Sequence, residues 1–350
     1  MALFESGAIS VYWSVCWGSL FEDFDYNNRC TQEFIRDICT YWLNIFQVDG
    51  IRFDYALGFF RRGDQDHGIT RLIRDLTAYE SQTQRSNIAH FIEHLTDNRY
   101  EAIADTNEIC ASGCWFDPFM SKNWQYGGSG NIDSEILRIL NANCDFATGK
   151  GPVTYIENHD HSNITRVVGG RQRWFKTQPP AIALLTSPGA VMIRSGQEFG
   201  EDYEIPESGN DRVVARPLEW NTKGLAPMSN DPVGNQLFAI YRKLINIRKD
   251  HPALRSSNFF PYPDNVDGYG AFFDQDVVIF HRWGTATDGR LERFIVAINY
   301  SDFDQRIDIP FPTNGRWDDL LNDIFVMVSD LRLANHMISS SWGRIYWQAA

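Results

Sequence analysis

The chain has 350 residues and carries 32 Lys plus Arg against 45 Asp plus Glu, a formal net charge of −13. No run of basic residues offsets that charge, so repulsion argues against nucleic acid or an anionic membrane surface as a partner. At roughly 150 residues per domain the length allows about two domains, and 11 Trp, 14 Tyr and 24 Phe exclude a disordered chain and offer flat surfaces that pack cores or stack on sugar rings.

From Thr31 to Phe46 the apolar residues Phe34, Ile35, Ile38, Cys39, Trp42, Leu43, Ile45 and Phe46 recur at helical spacing, with Thr31 placed as a cap and Glu33 in the first turn. This predicts a helix over 31–46. The β-prone stretch Val48-Asp49-Gly50-Ile51-Arg52-Phe53-Asp54 follows and ends on a carboxylate. The same alternation predicts strands at 87–94, 152–159 and 190–196 and helices at 69–79, 132–141, 178–186 and 235–249. Beyond His251-Pro252 the pattern changes to short alternating segments at 277–282, 293–299 and 305–309, separated by Asp288-Gly289 and Thr313-Asn314-Gly315. The expected organisation is an α/β region over 1–254 and a C-terminal antiparallel β-sandwich domain over 255–350.

No apolar stretch approaches the roughly 18 residues that span a bilayer, and the first twenty residues lack a charged start followed by a continuous apolar run. A cytoplasmic location is expected, with secretion after removal of a signal peptide left open. Cys16, Cys30, Cys39, Cys110, Cys114 and Cys144 contain no C-x-x-C pair and no matching His spacing, which predicts reduced, mostly buried thiols and no zinc site.

Working residues of a parallel α/β barrel lie at the carboxyl ends of its strands. Asp54 closes 51–54, Glu93 closes 88–93, and Asp160 is expected to close the strand through Thr154 to His159. Side chains alternate along a strand, so Arg52 shares a face with Asp54 and favours the ionised carboxylate that a nucleophile needs. Glu108, in Thr106-Asn107-Glu108-Ile109-Cys110, competes with Glu93 as an acid, but Glu93 is preferred because Ile88, Phe91 and Ile92 make a buried strand before it. Tyr55, Trp115, Phe116 and Trp174 are candidates for stacking on sugar rings, or for the core.

Taken together, Val48 to Ala56 resembles the fourth-strand nucleophile motif of the α-amylase family, glycoside hydrolase family 13. Phe91-Ile92-Glu93-His94 resembles the fifth-strand acid motif and Ile156-Glu157-Asn158-His159-Asp160 the seventh-strand motif. Gly196-Gln197-Glu198-Phe199-Gly200 and Arg216-Pro217-Leu218-Glu219-Trp220 match the segments beyond the eighth strand. The resemblance implies that Asp54 is the nucleophile, Glu93 the general acid and base, and Asp160 the residue that holds sugar hydroxyls. Arg52, Tyr55, His94, Asn158, His159 and Trp115 would bind substrate. Retaining hydrolysis needs two carboxylates roughly 5 Å apart with one kept protonated, which agrees with that assignment. The implied reaction is retaining cleavage of α-1,4-glucosidic bonds in starch-like glucans or maltooligosaccharides, with no cofactor and no metal. Transglycosylation of the 4-α-glucanotransferase type on the same site, or a non-catalytic glucan-binding remnant, are the alternatives.

Only 53 residues precede Asp54, whereas three βα units before the fourth strand would need about 30 each. The expected fold is therefore a partial (β/α) TIM-type barrel lacking about three N-terminal units, with the C-terminal β domain. An open barrel edge invites pairing, so either the alternating residues 8–16 or a second copy of the chain, as a homodimer, should cover it.

Overall fold

A computed structural model describes residues 24–85, 87–218 and 231–349. The alternating segment 8–16 and Glu219-Trp220 lie outside the described residues. Two compact units make up the chain, one of residues up to Trp115 together with 145–151 and one of 116–144 with 152–350.

The first unit opens with helix α1, Arg29–Ile45, followed by β1, Gly50–Phe53, α2, Gly68–Gln82, β2, Ala89–Ile92, α3, Glu101–Glu108, and β3, Gly113–Trp115. Asn28, not Thr31, caps α1, its Oδ1 accepting from the Cys30 amide at 2.8 Å. The sequence pattern missed α3 and β3. Helix α3 is largely polar, and the three residues of β3 are all buried, so neither shows a readable period.

The second unit contains α4, Asp117–Ser129, and α5, Ile136–Leu140, the latter shorter than the predicted 132–141. Strand β4, Gly151–Thr154, bridges the two residue sets, and α6, Ile164–Val167, α7, Gln178–Thr186, β5, Ala190–Val191, and α8, Pro232–Asp250, follow. Helix α4 was also missed: it starts Asp-Pro and carries Gly127-Gly128 near its end, both of which read as loop. The predicted strand 152–159 stops at Thr154, so Asp160 sits in the following loop and does not close a strand. Strands β1 to β5 form one sheet in chain order, with β1 on β2, β2 on β3 and β4 on β5 in parallel. This is a partial (β/α) barrel.

The C-terminal strands are β6, Gly270–Phe272, β7, Val277–Thr285, β8, Leu291–Asn299, β9, Gln305–Pro310, β10, Gly315–Asp319, β11, Ile324–Val328, β12, Arg332–Ile338, and β13, Trp342–Ala349. Six of them make an antiparallel sheet in the order β11-β10-β13-β8-β7-β6, and β12 pairs with β9. Their core holds Trp317, Tyr346, Phe311, Ile279 and Ile295. Arg282 of β7 is fully buried, and its guanidinium donates to the carbonyls of Asn258 and Ser256, each at 2.6 Å. Arg248 of α8 likewise donates to the carbonyls of Ser187 and Leu254, each at 2.8 Å. These donors satisfy loop carbonyls that would otherwise be buried without partners.

Helix α1 departs from its amphipathic expectation. Leu43 and Cys39 are buried, but Phe34, Ile38, Tyr41, Trp42, Ile45 and Phe46 are exposed. An apolar groove of about 400 Å³ runs beside them, lined by Ile38, Trp42, Val48, Ile51 and Arg52. Cys39 and Cys114 are buried as expected, while Cys30 and Cys110 are exposed. No helix among the described residues is long and apolar enough to cross a membrane.

Candidate active site

Arg52 organises the site in the first unit. Alternation along β1 puts its side chain on the face of Asp54, the residue just past the strand, and Nη1 meets Asp54 Oδ1 at 2.5 Å. Its Nη2 donates to Glu93 Oε2 at 2.6 Å, and the guanidinium lies over the Trp115 ring, 4.2 Å from its centroid. Three adjacent strand ends thus bring Arg52, Asp54, Glu93 and Trp115 together, because parallel strands present their carboxyl ends on one side.

The two carboxylates stand in different surroundings. The Asp54 side chain is 74% exposed and that of Glu93 is 10% exposed. Burial raises the Glu93 pKa above its ordinary value; the Tyr55 amide, donating at 3.0 Å, and the Arg52 charge oppose this, and a hydrogen bond with Asp54 and its charge add to it. Tyr55 has φ +43, a left-handed turn that aims its amide at Glu93. A cavity of about 400 Å³ opens beside Asp54 and Tyr55, walled by Phe59, Arg61, His67 and Tyr26. Tyr26 and Phe59 stack at 4.3 Å. The sequence reading did not single out these wall residues, although Phe59 and Arg61 directly follow the Asp54 motif.

Not every expected substrate contact is at the cavity. His94 is fully buried, with Nε2 2.9 Å from Asp105 Oδ2. Trp115 is buried beneath Arg52, so its ring serves as a floor for the guanidinium and is not an open platform. Phe116 is buried as well, Tyr55 is exposed and Trp174 partly so. Glu108 ends α3, exposed, because the polar residues before it are helical and not a strand.

In the second unit, Asn158 is buried and its Oδ1 accepts from the Asp160 amide at 3.0 Å and meets His161 Nδ1 at 2.8 Å. It shapes the loop that presents Asp160. His159 Nε2 is 3.6 Å and Arg212 Nη2 3.9 Å from the Asp160 carboxylate. Among the described residues no group of three or more His, Cys, Asp or Glu is placed to hold a metal ion.

No known family profile matches the chain. Curated relatives do. "Alpha-amylase 2" of Dictyoglomus thermophilum is 22% identical over 305 residues, covering 84% of this chain and 46% of the relative. The cyclomaltodextrinase of Geobacillus thermopakistaniensis is 22% identical over 291 residues, covering 82% and 42%. This chain thus spans less than half the length of these relatives. Among solved structures, an Anoxybacillus α-amylase superposes with TM-score 0.70 at 16% identity, over 94% of this chain and 65% of that one. A structure described as AmyP in complex with maltose gives TM-score 0.70 at 13% identity, over 93% and 69%.

Proposed function

Because the chain is a member of the α-amylase family, glycoside hydrolase family 13, we propose that it cleaves α-1,4-glucosidic bonds of starch-like glucans or maltooligosaccharides with retention of configuration. The observation that carries this reading is Arg52 bridging an exposed Asp54 and a buried Glu93. Two carboxylates in contrasting surroundings are what acid and nucleophile require. The Asp54 carboxylate attacks the anomeric carbon as the glycosidic bond breaks, and Glu93 gives its proton to the leaving oxygen. Glu93 then takes a proton from water, whose oxygen displaces Asp54 and restores both groups. The resemblance assigns sugar hydroxyls to Asp160 and substrate contacts to Tyr55, Asn158 and His159. In this reading residues 1–254 form the catalytic region and 255–350 the β-sandwich domain, and a second copy covers the open barrel side as a homodimer.

The purified chain should release reducing sugar from maltooligosaccharides, with the α-anomer first in proton NMR. Asp54→Asn and Glu93→Gln should each lower turnover about a thousandfold or more, since each removes a group acting in the bond-breaking step. A β-anomer product would overturn retention. Binding without turnover by the wild type would identify a glucan-binding remnant, and loss of activity in Glu108→Gln but not Glu93→Gln would move the acid.

A further inference from the structure

His94 directly follows Glu93, yet it points away from the cavity into a buried polar cluster that the proposed reaction does not use. Its Nε2 donates to Asp105 Oδ2 at 2.9 Å, and its ring meets Phe60 edge-on at 4.7 Å. Among the described residues the buried Nδ1 atom has no partner. The Asp105 carboxylate can only accept, so Nε2 carries the proton of that hydrogen bond. Asp105, only 3% exposed, uses its other oxygen to accept from Arg62 Nε at 2.7 Å and Nη2 at 2.6 Å. Arg62 belongs to the segment 55–68 that walls the cavity through Tyr55, Phe59, Arg61 and His67. The backbone adds a second tie, because the Ala56 amide donates to the Glu93 carbonyl at 2.8 Å and the Glu93 amide to the Phe53 carbonyl at 2.9 Å.

We infer that Asp105 is a positioning residue: through His94 it fixes the strand end that carries Glu93, and through Arg62 it fixes the cavity wall, so that substrate seated against the wall meets an acid already in register. The inference rests on the reading of Glu93 as the acid. A buried carboxylate on α3 that grips both partners gives each a single position, and an acid displaced by about 1 Å can lose about a hundredfold in rate. Loosening the strand end would also admit water to Glu93, whose charged neighbours are Arg52 and Asp54. Less burial lowers the pKa of a carboxyl.

The test compares His94→Gln, Arg62→Ala and Arg62→Lys with the wild type on maltooligosaccharides, with Glu93→Gln as control. His94→Gln should lower kcat about tenfold with KM within about twofold, and move the alkaline limb of kcat/KM toward acid by about half a pH unit or more. Arg62 is half exposed, so Arg62→Ala should fold, raise KM about fivefold with kcat little changed, and be largely rescued by Arg62→Lys. If both variants fold and keep wild-type kcat, KM and pH limb, the inference is wrong. It also fails if rates fall only in proportion to the folded fraction with the limb in place. Should Glu93→Gln retain activity, the acid reading itself falls, and the inference with it.

Discussion

Asp54 and Glu93 share one guanidinium but not one environment, and in the proposed reaction local burial is what separates their roles. A second glutamate shows the same physics outside the proposed reaction. Glu157 is fully buried, accepting from Asn163 Nδ2 and the Ile164 amide, each at 2.8 Å, and burial pushes its pKa from the ordinary 4.5 up to about 7. A raised folded-state pKa means that the protonated form favours folding: that stability is fully present below about pH 4.5 and lost as pH rises through about 7. Glu157→Gln cannot ionise, but it loses one acceptor, because Asn163 is held in place by the Tyr203 amide on its Oδ1 at 2.9 Å. The variant should be less stable than wild type at pH 5, and the difference should shrink at pH 8. Urea titrations at both pH values check this; a constant difference would remove Glu157 as the cause.

At the scale of elements, the barrel sheet depends on close backbone approach at β3. A Cβ at Gly113 would come within 1.8 Å of the Gly151 carbonyl oxygen, and backbone cannot yield as a flexible side chain can. Gly113→Ala should therefore cost about 3 kcal/mol or more, read as a large drop in the urea midpoint; a midpoint within error of wild type would show that β3 can shift freely. Helix α1 presents the opposite case. Its period was legible, but which part of its apolar surface would be covered was not, because that depends on a neighbour.

For the whole molecule, five large apolar side chains of α1 and Phe46 at its C-cap, each 40–61% exposed, leave on the order of 500 Å² of apolar surface, near the top of the range for monomers. Burying such a patch on each of two copies reaches the size of a stable interface. A charge of −13 on each copy opposes association, and salt screens that repulsion. Light scattering should report a dimer at micromolar concentration whose fraction rises with salt. Ile38→Asp, on the exposed face, should give a folded monomer. A wild-type monomer at all salt concentrations would sink the homodimer.

Residue order alone was enough for the fold class and for the two strand ends that carry Asp54 and Glu93, since both follow from local periodicity and from the rule that barrel chemistry sits at carboxyl strand ends. Which expected contacts face the cavity was settled by packing. His94 and Trp115 turned inward because Asp105 and Arg52, distant in sequence, supply their partners. The loop position of Asp160, the short strand β3 and the cavity wall of Tyr26, Phe59 and Arg61 came from the same source. The cavity wall and the Arg52–Trp115 contact rest on packing between segments far apart in the chain, and residue spacing along one segment carries no record of its neighbours.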